Sequence, residues 1–381
     1  MSRRRFFGEE VHVTNNSDDI NVVGSLRWAI AQANEPSSVI RFADILDDIA
    51  GTGDEIQLTK PQSELVESGY AQLYFPHATT LVGNGHTNVR NMTANTRTIY
   101  CEVRSSCYFH DMLFKDVMFN DMGYGSFSHQ ADFRNCRFVN IKRNGYAKNI
   151  AYYGSAQGCC FEDCDVWHYF FYGRSEHCYN NVFIRCAAQL GTFGAKNSYF
   201  EDMAPNVGRY LTQMDNCTFN NTGTTARNVE YCTKYVNCNF INHSIKSSVG
   251  FQLHGCTALF TKNFTMPLSN DAVELYNCLL VKGAEKIFTE GQIFVGSGNI
   301  HLSTDMIDET ISTKYAGSVD DLIDSTIQDG EVGIKYFKPR GAAIGFCENL
   351  KNEIWKLTDI RSYARGNPTD CGALATEAIL I

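Results

Sequence analysis

The sequence lacks the features that mark a membrane protein or a nucleic-acid-binding protein. No apolar run approaches the roughly 20 residues that a membrane-spanning helix needs. Lysine and arginine do not cluster into a stripe that could follow a phosphate backbone, and the net charge is −9. We therefore expect no membrane span and no nucleic-acid partner.

Paired cysteine motifs are also missing, although the chain has 15 cysteines. No C-x-x-C pair recurs with a second pair at the spacing of a zinc site. Disulfide frameworks are typical of short secreted chains without a core, whereas 381 residues with 44% hydrophobic content can bury one. We expect free cysteines and no metal site.

What the chain does contain is a four-residue pattern that occurs eight times. Each copy has a turn residue, usually Asn, then a small residue, usually Cys, then a variable residue, and then usually Phe. The copies lie at residues 135–138, 158–161, 180–183, 197–200, 216–219, 237–240, 255–258 and 277–280. Their second positions are 23, 22, 17, 19, 21, 18 and 22 residues apart. A period near 20 residues is typical of a repeat architecture.

The spacing of the pattern predicts strands. Residues two apart lie on the same face of a strand, so the Cys and Phe positions face inward together. The Asn or Gly before them tolerates the left-handed backbone of a corner. A second polar column follows each Phe position by two residues, at Asn140, Asp163, Arg185, Asp202, Asn221 and Asn242. The leucine columns of a leucine-rich repeat are missing, so we predict an all-β solenoid with coils of about 20 residues.

Six cysteines occupy the inward column. We expect them to behave as small buried hydrophobes. They are Cys136, Cys159, Cys217, Cys238, Cys256 and Cys278.

A helix is predicted ahead of the strand array. Ser25 is a favourable N-cap, and Asn34 with Pro36 ends the segment. The apolar residues at helical spacing are Leu26, Ala29, Ile30 and Ala33. The end of a solenoid needs a cap to keep its apolar core and strand edges from water, and we assign the helix that role.

Several segments carry a resemblance to a known superfamily. They are residues 13–15, 24–30, 39–42, 55–58 and 80–85, together with Asp370-Cys371-Gly372-Ala373 near the end. They resemble the entry segment and closing motif of right-handed parallel β-helix proteins of the pectate-lyase-like superfamily, with Cys371 in place of the usual Ile. The resemblance implies an N-terminal arm and cap at 1–54, a parallel β-helix at 55–300, and an irregular C-terminal cap or contact segment at 301–381.

The second polar column supplies a candidate catalytic group. Asp163, Arg185 and Asp202 occupy successive coils, so stacking places an arginine between two acids. Lyases that this chain resembles hold Ca²⁺ with acidic residues and use Arg or Lys as base. Flanking carboxylates favour charged arginine, so an ion-pair ladder without chemistry is the simpler interpretation. No other cofactor is expected.

Aromatic residues form the second candidate site, for glycan binding or subunit contact. Exposed aromatic patches mark contact sites, but strand alternation would turn half of these rings inward. The residues are Tyr152, Tyr153, Trp167, His168, Tyr169, Tyr172 and Arg174.

Two functions follow from the resemblance. The first is a bacteriophage virion component, similar to a tailspike or fibre, that assembles in the host cytoplasm as a homotrimer with other virion proteins and binds a surface polysaccharide. The Met1–Phe7 arm is basic, and Gly8, Glu9 and Glu10 stand where an export signal would have its apolar core. The alternative is a secreted or periplasmic polysaccharide lyase or glycoside hydrolase acting on acidic polysaccharides.

Overall fold

A computed structural model describes most of the chain. The described residues are 10–59, 71–92, 97–101, 107–119, 126–143, 149–172, 178–189, 195–203, 213–225, 227–230, 232–247, 250–262, 264–266, 269, 271–282, 285–329 and 335–344. Arg174, the 1–7 arm and the 370–373 motif lie outside them.

The described chain is built almost wholly of strands, with one short α-helix. It divides into two compact units, residues 1–177 with 186–189 (unit 1) and residues 178–185 with 190–381 (unit 2). Strand pairing is parallel except in one C-terminal hairpin. The prediction of a right-handed parallel β-helix is confirmed. No described helix has the length and apolarity needed to cross a membrane.

Unit 1 contains three parallel sheets. Its strands are β1 (Glu10–Asn15), β2 (Ser38–Asp47), β3 (Glu55–Leu58), β4 (Ala71–Phe75), β5 (Thr79–Val82), β6 (Asn88–Asn91), β7 (Arg97–Cys101), β8 (Cys107–His110), β9 (Leu113–Lys115), β10 (Met118–Phe119), β11 (Ser126–His129), β12 (Ala131–Arg134), β13 (Arg137–Val139), β14 (Lys142–Arg143), β15 (Asn149–Tyr152), β16 (Ser155–Gln157), β17 (Cys160–Glu162), β18 (Asp165–Tyr172) and β21 (Ala187–Gln189). Sheet A1 has the order β1-β2-β5-β8-β12-β16, and sheet B1 has the order β3-β6-β9-β13-β17. Sheet C1 has the order β10-β14-β18-β15-β11-β7-β4, with β21 paired to β18.

Unit 2 contains two longer parallel sheets and two small ones. Its strands are β19 (Cys178–Tyr179), β20 (Val182–Ile184), β22 (Ala195–Lys196), β23 (Tyr199–Glu201), β24 (Gln213–Asp215), β25 (Thr218–Asn220), β26 (Asn228–Glu230), β27 (Lys234–Val236), β28 (Asn239–Ile241), β29 (Ser244–Lys246), β30 (Gln252–His254), β31 (Thr257–Leu259), β32 (Val273–Tyr276), β33 (Leu279–Val281), β34 (Phe294–Ser297), β35 (Asn299–Leu302), β36 (Ser312–Lys314), β37 (Ile323–Asp329) and β38 (Lys335–Pro339). Sheet A2 runs β19-β22-β24-β27-β30-β32-β34, and sheet B2 runs β20-β23-β25-β28-β31-β33-β35-β36. Strands β26 and β29 pair in parallel, and β37 and β38 form the antiparallel hairpin.

Corner residues with left-handed backbone separate the strands of a coil. All eight predicted turn residues of the repeat have φ between 48° and 65°, namely Asn135, Gly158, Asn180, Asn197, Asn216, Asn237, Gly255 and Asn277. The second polar column also turns, with φ of 48–54° at Asn140, Asp163, Arg185, Asp202 and Asn242. Asn221 is not among the residues with positive φ. Its side chain accepts a hydrogen bond from Gly223 N at 3.1 Å, in the loop that follows.

The inward columns stack between coils as predicted. In unit 1 the ring centroids of Phe138 and Phe161 are 4.8 Å apart, and in unit 2 those of Phe200 and Phe219 are 4.9 Å apart. The six inward cysteines are buried, and all thirteen described cysteines are free thiols. Cys238 Sγ donates to Val236 O at 3.3 Å and to Met214 O at 3.4 Å. The cysteine side chains therefore pack as small apolar groups, and the thiols donate hydrogen bonds to backbone carbonyl oxygens.

The predicted N-terminal helix is α1 (Leu26–Gln32), and Ser25 Oγ caps it by accepting a bond from Trp28 N at 3.1 Å. Arg27 is buried, and its Nε donates to Asp18 Oδ1 at 2.5 Å. Arg27 Nη1 also donates to Gln72 O at 2.6 Å. Asp18 in turn accepts from Thr59 N at 2.6 Å. One buried ion pair thus ties the helix to β4 and to the residue after β3.

The C-terminal hairpin covers part of the outer face of sheet B2. That face becomes apolar from β28 onward, and a buried cluster joins it to the hairpin and to two short 3₁₀ turns, Val319–Asp321 and Gly341–Ala343. The cluster contains Ile241, Leu259, Leu279, Val281, Ile300, Leu322, Ile323, Phe337 and Ala343. The role of 301–381 as a cap stays a prediction, since 345–381 lie outside the described residues.

Replacing Arg27 by Ala should lower the free energy of unfolding by about 3–5 kcal/mol, because Asp18 would remain buried without its cation. Arg41→Ala is the matched control. Arg41 pairs with Glu10 at 3.1 Å, but both side chains are about half exposed, so its loss should cost about 1 kcal/mol or less. Urea unfolding measures both. Equal effects of the two variants would contradict the assigned role of Arg27.

Candidate functional site

The predicted catalytic triplet lies at corners that join one sheet to the next. Asp163 follows β17 in unit 1, while Arg185 and Asp202 follow β20 and β23 in unit 2. Ile184 pairs with Glu201, so Arg185 and Asp202 take equivalent positions in adjacent coils. Arg185 is exposed, and its backbone N donates to Glu201 O at 2.8 Å.

The Asp202 carboxylate holds the loop of the following coil. It accepts hydrogen bonds from Thr222 N at 2.7 Å and Gly223 N at 3.3 Å, and also from the Thr222 hydroxyl. Burial acts to raise the pKa of Asp202, but the bonds from Thr222 and Gly223 outweigh burial and lower it. These contacts give Asp202 a structural task, and its catalytic role stays a prediction.

In unit 1, Asn140 and Asp163 occupy equivalent corner positions in successive coils. Asp116 occupies the same position one coil earlier. Asn140 Nδ2 donates to Asp116 Oδ1 at 2.6 Å. Lys142 Nζ donates to the backbone oxygen of Asp163 at 2.6 Å. Asn140 and Asp116 are therefore bonded to each other, and an ammonium group lies beside the Asp163 corner.

A groove of about 410 Å³ opens next to this column. It lies where sheet B1 passes into sheet C1. Its lining residues are Arg90, Asn91, Met92, Asp116, Val117, Met118, Asn140 and Lys142.

A row of aromatic rings crosses sheet C1 at the opposite end of its strands. Strand register aligns Tyr74 with Tyr100, Tyr100 with His129, and His129 with Tyr152. Their ring centroids are 6.1, 4.9 and 5.6 Å apart, with interplanar angles of 12°, 11° and 17°. Tyr74 is buried, and the other three rings are half-buried. We call these four residues the aromatic row.

Tyr153 borders the aromatic row from a corner position. Its φ is 55° and its side chain is exposed. Its ring stands at 77° to that of Tyr152 and at 88° to that of His129. The structure thus brings the predicted residues Tyr152 and Tyr153 together at one edge.

The remaining predicted aromatic residues lie on β18. Backbone register places Tyr172 beside Tyr152, so a fifth position of the row is also aromatic. Tyr169 pairs with Asn149 and Gln189. The side chains of Trp167, His168, Tyr169 and Tyr172 are outside the described part of the structure.

Sequence reasoning missed Tyr74, Tyr100 and His129. The steps from Tyr74 to Tyr152 are 26, 29 and 23 residues, too uneven to suggest one column. Only strand pairing brings them into register. Among the described residues, no three His, Cys, Asp or Glu side chains converge as metal ligands, and the Ca²⁺ of the lyase alternative stays an expectation.

Asp202→Asn should lower the free energy of unfolding by about 1 kcal/mol at neutral pH, the size of a partly screened charged hydrogen bond. The folded-state pKa lies below the ordinary value of 3.8. This contribution is therefore present above about pH 4 and is lost as pH falls through the folded pKa. Urea unfolding at several pH values should show the difference between the two proteins shrinking as the pH falls below 3.8 and through the folded-state pKa.

Asp320→Asn is the control for that experiment. Asp320 lies in the same unit, and its exposed carboxylate has no hydrogen bond to a described residue. Its replacement should not change stability at any of these pH values. A constant difference between wild type and Asp202→Asn across the pH range would count against the charged hydrogen bonds.

A scan against models of known protein families finds no match. A search of curated proteins finds none either. The likeness to the pectate-lyase-like superfamily therefore rests on the sequence segments alone, and the parallel β-helix is established by strand pairing.

Proposed function

We propose that this protein is an attachment component of a bacteriophage virion that binds a surface polysaccharide through the aromatic row. The aromatic row is the observation that carries the proposal. Its position on a β-helix whose entry segment resembles the pectate-lyase-like superfamily, which includes bacteriophage tailspikes, adds support. Catalysis is not part of the proposal. The Asp202 carboxylate accepts hydrogen bonds from the loop at Thr222 and Gly223, and Lys142 donates to the Asp163 carbonyl.

The geometry of the aromatic row suits a linear ligand. The rings belong to four neighbouring strands, which lie about 4.8 Å apart, so the row runs across the strands. Tyrosine and histidine combine an apolar ring with a polar tip. Stacking turns most ring faces toward each other and leaves ring edges at the surface. An extended chain of sugars could hydrogen-bond to the phenol and imidazole groups at these edges.

Tyr153 offers a ring at the exposed side of the row. Because it stands nearly perpendicular to Tyr152, it does not continue the stack. A sugar could pack against the Tyr153 ring while the next sugar meets Tyr152 and His129. We assign Tyr153 and Tyr152 the strongest contacts, since Tyr153 is exposed and its ring meets that of Tyr152 at the described end of the row.

The free cysteines support assembly in a reducing compartment. Disulfides form in oxidising environments and are rare in the cytosol, and all described cysteines are free. We therefore propose assembly in the host cytoplasm. We also propose that the chain forms a homotrimer and that the homotrimer joins other virion proteins. Light scattering of the purified chain and mass spectrometry of purified virions test these two points separately.

Polysaccharide binding should weaken about two- to tenfold in Tyr152→Ala, because one aromatic contact contributes about 0.5–1.5 kcal/mol. The assay is biolayer interferometry against a panel of purified bacterial surface polysaccharides. Tyr108→Ala is the control, since Tyr108 is a tyrosine on β8 of sheet A1, away from the aromatic row, and is more exposed than the half-buried Tyr152. It should bind as wild type does.

The outcomes of this assay separate the hypotheses. Equal losses in the two variants, or no binding to any polysaccharide, would contradict the aromatic row as the binding site. Release of unsaturated uronates or new reducing ends during incubation would instead favour the lyase or hydrolase alternative.

A further inference from the structure

Two cysteines outside the four-residue repeat contact each other in unit 1. Cys101 is the last residue of β7 in sheet C1, and Cys107 is the first residue of β8 in sheet A1. Both side chains are buried, and their thiols are hydrogen-bonded to each other. The packing that explains the cysteines of the repeat does not explain this pair, because neither residue belongs to the repeat.

The two cysteines mark the ends of an extra stretch of chain at the corner where sheet C1 passes into sheet A1. Strand register aligns Cys107 with Ala131 of the next coil. It also aligns Tyr100 with His129. Between these aligned positions the first coil has six residues, 101–106, where the next coil has one. The contact between the two thiols therefore joins the beginning and the end of this extra stretch.

The hydrogen bonds of the pair leave the Cys107 thiol easier to oxidise than a thiol of the repeat. A sulfur in a disulfide no longer donates a hydrogen bond. Cys107 Sγ donates to His77 O at 3.6 Å, a long contact whose loss costs little. Cys136 Sγ donates to Arg134 O and to Phe109 O, both at 3.3 Å. Oxidation of Cys136 would remove two shorter bonds.

The contact between the thiols also prepares one of them to react. Burial raises the pKa of the Cys101 thiol, whereas the hydrogen bond from Cys101 lowers the pKa of Cys107. Because the thiolate is the nucleophile in cysteine oxidation, Cys107 reacts first. Its neighbour Tyr108 is exposed, and His77 is half-buried. Cys107 thus lies directly beneath residues that contact solvent, within reach of a small oxidant.

We propose that Cys101 and Cys107 form a reversible disulfide when a peroxide oxidises them. The Cys107 thiolate attacks one oxygen of hydrogen peroxide, which breaks the O–O bond and forms a sulfenic acid. The hydroxide that leaves takes up the proton that the thiol lost. The Cys101 sulfur then attacks the Cys107 sulfur, which forms the S–S bond and releases the second oxygen as water. The two thiols are oxidised, and the peroxide is reduced to water.

The disulfide lies beside the aromatic row. Tyr100 precedes Cys101 in the chain, and His129 Nδ1 lies 3.4 Å from Cys101 O. The bond therefore ties the two ends of the extra stretch together at the edge of the row. Formation of the disulfide does not depend on the proposed polysaccharide binding, so the failure of one leaves the other standing.

The test treats the reduced full chain with dilute hydrogen peroxide under native conditions. The mass should fall by about 2 Da, because a disulfide forms with the loss of two hydrogens. The remaining thiols are then alkylated in denaturant, and trypsin is added. Cleavage after Arg97, Arg104 and Lys115 should release peptides 98–104 and 105–115 as one disulfide-linked species. Dithiothreitol should separate the two peptides.

Cys101→Ser and Cys107→Ser should each abolish the linked peptides. Cys136→Ser is the matched control, because Cys136 is also buried and its thiol is hydrogen-bonded to that of Cys159. This variant should form the linked peptides as the wild type does. In the wild type, Cys136 and Cys159 should stay reduced under the same treatment.

Urea unfolding gives a second readout of the disulfide. Oxidised wild type should unfold at a higher urea concentration than reduced wild type, because a cross-link restricts the unfolded chain. Cys101→Ser should show no such shift after the same treatment. Circular dichroism of this variant like that of the wild type would show that its loss of linkage does not come from unfolding.

A folded wild-type protein without linked peptides after peroxide treatment would overturn the proposal. Linkage that forms only in urea would do the same, because the pairing would then not come from the native contact. Equal oxidation of Cys136 with Cys159 would also overturn it, since any two thiols in contact would then react alike.

Discussion

The left-handed corner is the constraint on which each coil depends. A single residue with φ near 50° turns the chain from one sheet to the next, as Asn135 and Asn140 do. An ordinary L-residue loses about 1–2 kcal/mol there, whereas Asn, Asp and Gly are tolerated. The corners also continue the strand ladder: Asn135 N donates to Gln157 O at 2.9 Å, and Asn140 N to Glu162 O at 2.8 Å. The backbone N–H of each of these corner residues therefore bonds to the next coil.

Stacked corners bring the inward side chains into register, and this explains why cysteine recurs. Phe138 lies over Phe161, and the position two residues earlier sits against the corner, where space is limited. There the Cys136 thiol donates to Arg134 O and Phe109 O, both at 3.3 Å. A cysteine at this position combines a small apolar volume with a weak donor. The cysteines of the inward column thus reflect coil geometry, and the thirteen described cysteines are free thiols.

The features predicted from sequence are those with a fixed local spacing. The Asn135 and Asn140 columns, the inward Cys and Phe positions, and α1 all follow from residues a few places apart. The aromatic row does not, because loops of different length separate Tyr100 from His129 and His129 from Tyr152. Each coil of unit 1 also turns where sheet C1 passes into sheet A1, and the sequence did not predict this corner. Gln130 and Tyr153 occupy it, with φ of 54° and 55°, and neither residue type suggests a left-handed turn.

The residue types found at the corners bear on function. Asp163 and Asp202 are residue types that a corner favours, so their presence in the second polar column needs no chemical explanation. Tyr153 and Arg185 are not residue types that a corner favours. Holding a long side chain at positive φ costs about 1–3 kcal/mol, and such strain is found where the side chain has another task. Tyr153 is exposed beside the aromatic row, and Arg185 is exposed at its own corner. Residue type therefore accounts for the two acids at their corners, but it does not account for Tyr153 or Arg185.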